Sequence, residues 1–234
     1  MAHVHGSGAP PHGYVRGMSE HPQQDLGRLR REYGDAGLDL PDLEDDPVAM
    51  FRRWFDDTVA AGVHEPNAMV VCTVSAEGRP SSRLVLLKGL DERGCVFFTN
   101  TGSRKGTDLA GNDRCSLLLP WHPLERQVRI DGVASELPRE DVAAYFATRP
   151  RGAQLGAHAS HQSRPVADRA ELLAAYDEVS ARFEGRDVPV PDEWGGYLVV
   201  PETVEFWQGR PGRLHDRLLY RRELEGWRVE RLAP

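Results

Sequence analysis

The chain has 234 residues, 40% hydrophobic and 28% charged, with a formal net charge of −7. That balance suits a globular protein and excludes a fibrous or wholly disordered one. No run of about 18 apolar residues occurs, so no membrane-spanning helix is expected, and the acidic balance argues against nucleic-acid binding by bulk charge.

The N-terminus lacks the apolar core of a secretory signal, so export by that route is not expected. Cys72, Cys95 and Cys115 are widely spaced, odd in number and without a CxxC. They read as reduced thiols of a cytoplasmic protein, with neither a disulfide framework nor a metal site. Of 29 basic residues only Lys88 and Lys105 are lysine. Lysine supplies a compact point charge where arginine supplies a fork, so both positions merit attention.

Residues 1–25, rich in Gly, Pro and His, read as a mobile tail, and 26–234 as a single domain. Asp46-Pro47 opens the first helix as N-cap and first-turn proline, with an apolar stripe of Val48, Phe51, Phe55 and Val59. The period then shortens. Segments 68–75, 82–90, 95–100, 115–121 and 126–137 are β-branched or apolar and separated by turn signals, as consecutive antiparallel strands are. Helical signals return over 138–148 and from about 166 to 183. Four short strands follow, in GGYLVV, TVEFWQG, RLLYRREL and GWRVERL. The fold class is α+β, a β-barrel core with helices packed outside.

Four segments carry candidate chemistry. In Arg83-Leu84-Val85-Leu86-Leu87-Lys88 the two cations lie five apart, on opposite faces of a regular strand unless a bulge intervenes. In Thr99-Asn100-Thr101-Gly102-Ser103-Arg104-Lys105 a strand ends and Ser103 can cap a helix running to Asn112, which makes an anion site or simply a solvated helix start. Arg213, His215 and Arg217 alternate, so an extended chain places all three on one face, where they crowd unless an anion or water meets them. Tyr145 and Arg149 lie four apart on a predicted helix and could grip a phosphate or merely pack. No Ser-His-Asp order, HExxH, GxSxG, Walker loop or GxGxxG after a strand is present. Phosphorylated small molecules, one of them a possible cofactor, fit these segments best.

The ordered blocks RLVLLK, FFTNTGSRK, PWHPLERQV, YFATRPRGAQLGAHASHQS, WGGY, EFWQGRPGRLHDR and the closing RLAP resemble the pyridoxine (pyridoxamine) 5′-phosphate oxidase family. The resemblance runs from residue 30 to the C-terminus. It implies an antiparallel split β-barrel with flanking helices, a homodimer holding FMN at the subunit interface. The implied FMN contacts are Arg83, Leu84, Val85, Leu86, Leu87, Lys88, Phe98, Thr99, Arg104, Lys105, Gln127, Gln162, Ser163, Trp207 and Arg217. The implied substrate-phosphate grip is Lys88, Tyr145 and Arg149. Arg213 and His215 are the implied catalytic pair over the substrate ring, with Arg30, Arg31, Glu32 and Tyr33 as a flap.

The implied reaction oxidises pyridoxine or pyridoxamine 5′-phosphate to pyridoxal 5′-phosphate with O2, releasing H2O2, and NH3 from the amine. The flavin carries the redox chemistry, which accounts for the missing protein nucleophile. Three positions depart from the family pattern: Ala153 for a phosphate-binding serine, Phe98 for a tyrosine and His158 for a tryptophan. A related oxidase of another ring, such as a phenazine precursor, and a non-catalytic flavin or pyridoxal-phosphate carrier are the alternatives.

Overall fold

A computed structural model describes Leu29 and residues 31–234. Tyr33–Pro234 forms one compact unit. Of the unit before it, Leu29, Arg31 and Glu32 are exposed and irregular. Arg30, the expected tail over 1–25 and the expected domain start at 26 lie outside the described residues. Among those residues no helix is long and apolar enough to cross a membrane.

Helix α1 (Pro47–Ala60) begins where expected: the Asp46 carboxylate accepts from the N–H groups of Val48 and Ala49. Its buried face differs from the stripe expected. Met50, Phe51, Trp54 and Thr58 are buried and Val59 is half exposed. The helix turns so that Trp54 meets Phe206 edge-on at 5.2 Å and Phe51 meets Trp121 at 5.4 Å. Two large aromatic contacts outweigh one valine in setting that rotation.

The strands are β1 (Ala68–Val74), β2 (Pro80–Leu86), β3 (Gly89–Asp91), β4 (Gly94–Asn100), β5 (Arg114–Trp121), β6 (Arg126–Glu136), β7 (Trp194–Gln208), β8 (Asp216–Glu223) and β9 (Gly226–Arg231). They form one antiparallel sheet in the order β2-β1-β5-β6-β7-β4-β3, and β8 with β9 branches from β7. The two strands expected at 195–200 and 203–209 are a single strand. One edge of β7 pairs with β6; the other pairs with β4 over 194–199 and with β8 over 203–208. That fork splits the curled sheet. A bulge at Asp131/Gly132 bends β6 there, and a Cβ on Gly132 would stand 2.3 Å from the Val200 carbonyl oxygen, so glycine is required.

The expected strand over 82–90 is broken. Leu87 and Lys88 leave the sheet between β2 and β3, with Leu87 N–H bonded to the Asn67 carbonyl and Lys88 N–H to that of Val96. Leu87 buries its side chain in the main hydrophobic core.

Helix α2 (Arg104–Gly111) follows β4. Helices α3 (Arg139–Ala147), α4 (Arg151–Ala159) and α5 (Arg169–Arg182) lie between β6 and β7. They enclose a second core of Val142, Phe146, Leu155, Val179, Val188 and Trp194. Helix α4 is not predicted by the sequence pattern over 151–159.

Candidate active site

The strands β2 and β4, the start of α2 and the α3–α4 turn surround a cavity of about 1020 Å³. Among the described residues five cations line it, Arg83, Lys88, Arg104, Lys105 and Arg149, and no carboxylate does. Arg83 and Lys88 both line this cavity, Arg83 from β2 and Lys88 from the segment that follows it.

Lys105 is 6% exposed, and its Nζ donates only to neutral oxygens: Thr99 Oγ1 at 2.9 Å, Ser103 Oγ at 3.0 Å and Gln162 Oε1 at 2.6 Å. Burial, aided by Arg83 nearby, brings its pKa down from 10.5 to about 8. A buried ammonium without a counter-charge is costly, and an anion in the cavity would relieve it. Arg83 is held from behind. It donates to Thr73 Oγ1 at 2.8 Å and to Ser81 Oγ, and both hydroxyls in turn donate to the buried Asp108 carboxylate, at 2.6 and 2.9 Å. Desolvation lowers the Arg83 pKa, opposed by the charge of Asp108.

Arg149 follows the end of α3 by two residues, so it does not share a helix with Tyr145, yet both side chains line the cavity. Its guanidinium lies 4.8 Å from the Trp194 ring centroid, and its buried Nη1 has no hydrogen-bond partner among the described residues. Desolvation lowers its pKa as well. The Phe98 ring stacks on Tyr145 at 3.9 Å and on Trp194 at 5.4 Å, making an apolar wall. Leu84, Val85, Leu86, Thr99, Ser163 and Ala153 also line the cavity. The other departure, His158, bonds the Pro189 carbonyl through Nε2 at 2.7 Å and packs on Phe183.

The remaining expected residues form a second group outside this cavity. Gln127, Trp207 and Arg217 pair in register across β6, β7 and β8, one cross-strand row on one face. Trp194 and Trp207 mark opposite ends of β7, roughly 40 Å apart along the strand. Arg213 and His215 are not in an extended chain: Pro211–Arg213 is a 3-10 turn with Arg213 at φ 67°, and β8 starts at Asp216. The Pro-Gly pair makes that turn. Nor is Arg217 crowded by the others, since it pairs with the buried Glu205.

In this group the His215 ring lies 4.7 Å from Trp207 and 5.5 Å from Tyr33, and Arg213 lies 5.9 Å from the Tyr33 centroid. Gly209 admits Tyr33, since a Cβ would stand 2.9 Å from its ring. The Arg210 N–H donates to His215 Nδ1 at 3.1 Å. The proton of a neutral imidazole therefore sits on Nε2.

Trp194, Asp108 and Glu205 were not singled out from sequence. Only the WGGY block signalled the first. Nothing local marks the two carboxylates, whose partners lie on other strands.

A forked, curled antiparallel sheet with a cation-lined cavity defines a split-barrel protein. Residues 55–183 match the family described as pyridoxamine 5′-phosphate oxidase, and 194–234 match the pyridoxine 5′-phosphate oxidase C-terminal dimerisation region. The chain belongs to the pyridoxine/pyridoxamine 5′-phosphate oxidase family. It is 63% identical over 210 residues to the pyridoxine/pyridoxamine 5′-phosphate oxidase of a Nocardioides species, covering 90% of this chain and 98% of the relative. The enzyme of that name from Rubrobacter xylanophilus is 56% identical, with 93% and 100% covered. Among solved structures, PhzG from Burkholderia lata in complex with tetrahydrophenazine-1-carboxylic acid is 33% identical, with a TM-score of 0.80 over 86% of this chain and 100% of that one.

Proposed function

We propose that the protein oxidises pyridoxine 5′-phosphate or pyridoxamine 5′-phosphate to pyridoxal 5′-phosphate, with FMN as cofactor and O2 as oxidant, in the cytoplasm. The observation that carries this reading is the cavity with five cations and no lining carboxylate, including a buried ammonium and an orphaned guanidinium nitrogen. Those groups fit phosphate esters. FMN bound there would supply the two-electron acceptor, reoxidised by O2 with release of H2O2.

Arg83, Arg104, Lys105 and the Ser103-capped start of α2 hold the cofactor phosphate, with Thr99, Gln162 and Ser163 beside them. Lys88, Tyr145 and Arg149 hold the substrate phosphate. The Phe98–Tyr145–Trp194 wall keeps water from that end of the cavity.

Because Gln127, Trp207, Arg213, His215 and Arg217 lie at the far end of β7, a second copy of the chain brings them to the cavity, and the working unit is a homodimer with composite sites. The match of 194–234 to a dimerisation region supports this arrangement. His215 Nε2–H then donates to the substrate ring, and Arg213 holds the ring in place; fixed orientation of this kind lowers a barrier by several kcal/mol.

The test is formation of pyridoxal 5′-phosphate and H2O2 by FMN-loaded protein with each vitamer in air. Matched yields of both products are expected. Bound flavin without product from either vitamer would overturn the reading, and turnover of tetrahydrophenazine-1-carboxylic acid, the molecule held in the Burkholderia structure, would move it to that ring.

A further inference from the structure

Arg210 touches both the turn that carries Arg213 and His215 and the extended strap at 33–39. Its main-chain N–H donates to His215 Nδ1. Its side chain points the other way: Nη1 donates to the Asp35 carbonyl at 2.7 Å and lies 3.6 Å from the Asp35 carboxylate, and Nε lies 3.5 Å from Asp216 Oδ2. That same Asp216 oxygen accepts the Leu38 N–H at 3.1 Å. Between these ties passes Gly37, where a Cβ would stand 3.0 Å from Arg210 Nη1. The strap is thus threaded against the guanidinium and anchored on both sides of it.

At its start the strap delivers Tyr33 to the face of His215 and Trp207 and beneath Arg213. A second tie runs through Glu125, whose carboxylate accepts the Gly34 N–H at 2.7 Å while its carbonyl accepts that of Gly209.

We propose that Arg210 is a positioning residue: its main chain orients the His215 imidazole while its guanidinium latches the 33–39 strap over it, so that Tyr33 and His215 are placed together. The inference rests on the functional reading above, which makes His215 and Arg213 substrate-facing groups. Elsewhere the strap is held by a few polar ties: Glu125 at Gly34, Asp216 at Leu38, and Arg231, whose Nη2 donates to Asp39 Oδ1 at 2.6 Å. Asp35, Ala36 and Gly37 are exposed, and Leu38 is the strap's one buried apolar side chain. Short segments with few apolar contacts open at low free energy unless polar ties hold them.

The experiment compares FMN-loaded wild type with Arg210→Met and Arg210→Lys by amide hydrogen exchange and steady-state kinetics. Methionine keeps the main-chain donor and the stem length but loses the charge and the fork. In Arg210→Met the amides of Gly34 and Leu38 should exchange about tenfold faster, a change of about 1.4 kcal/mol in opening, while core amides such as Val71 and Leu117 keep their rates. KM for the phosphorylated vitamer should rise several-fold with a smaller change in kcat, and lysine should restore part of both effects. Uniform acceleration across the core would signify general destabilisation and overturn the proposal, as would faster strap exchange with unchanged KM. If the wild type turns over neither vitamer, the substrate reading fails. An absent exchange contrast overturns the latch whatever the turnover.

Discussion

Glu205 binds Arg217 diagonally across β7 and β8, Arg217 Nε donating to Oε1 at 2.7 Å and Nη2 to Oε2 at 3.2 Å. Arg129 reaches the same carboxylate from β6 at 2.7 Å. Glu205 is 2% exposed although it lies on the sheet face away from Val204 and Phe206. These bonds raise the Arg217 pKa and hold its guanidinium on the Glu205 carboxylate. Glu205→Gln removes the charge that both arginines share. It should cost about 1.5–3 kcal/mol, read as a lower urea midpoint at unchanged slope, and it should weaken FMN binding because Arg217 is released. An unchanged midpoint would show that the arginines are solvated rather than held.

Lys105 makes anion binding dependent on pH. Its folded pKa of about 8 lies below the ordinary 10.5, so between those values the folded chain binds fewer protons than the unfolded one. The stability of the ligand-free protein therefore rises with pH through that window. Binding of a phosphate dianion needs the protonated ammonium, so FMN affinity should fall above about pH 8, by up to tenfold per unit. Fluorescence titration of FMN between about pH 7 and pH 9.5 reads this directly. A flat profile would mean that Lys105 stays charged throughout.

Ala153 lines the cavity on the first turn of α4, beside Arg149. Pro150 caps that helix with no side-chain hydrogen bond. Ala153→Ser introduces a hydroxyl at this end, and a hydrogen bond to a charged phosphate is worth about 1.5–3 kcal/mol. The KM for either vitamer should drop about tenfold, with kcat nearly unchanged. A KM that stays put would place the substrate phosphate elsewhere.

Arg213 holds φ 67° in the turn before β8. Methionine at the same position meets the same backbone cost, so Arg213→Met should fold with an unaltered Tm. Turnover should fall about a hundredfold, the scale of a misplaced reactant, while FMN affinity is retained. Parallel loss of flavin and turnover would assign Arg213 to the cofactor instead.

Much of this molecule is legible in its sequence, and the reasons for the rest are physical. Apolar or β-branched runs between turn signals mark β1, β4, β5 and β6, and Asp46-Pro47 marks α1. The break at Leu87-Lys88 was hidden because the run around it is uniformly apolar, and only pairing with Asn67 and Val96 decides where the chain leaves the sheet. Helix α4 was hidden by Pro150, Gly152 and Gly156, poor helix formers that packing of Leu155 in the second core overrides. Pro211-Gly212 did signal a turn, and reading 213–217 as extended passed over it. The cationic residues of the cavity were visible as residue types. The carboxylates that hold Arg83 and Arg217 were not, since only the folded sheet brings Asp108 to Thr73 and Ser81, and Glu205 to both Arg217 and Arg129.

The separation of the two residue groups along β7 has a genetic consequence in a homodimer with composite sites. A chain damaged at Lys105 and another damaged at Trp207 would each be inactive alone. Paired in one dimer, they would assemble one site carrying both lesions and one carrying neither. Two defective alleles of this gene, lesioned in different groups, should therefore rescue one another when co-expressed, whereas two alleles lesioned in the same group should not.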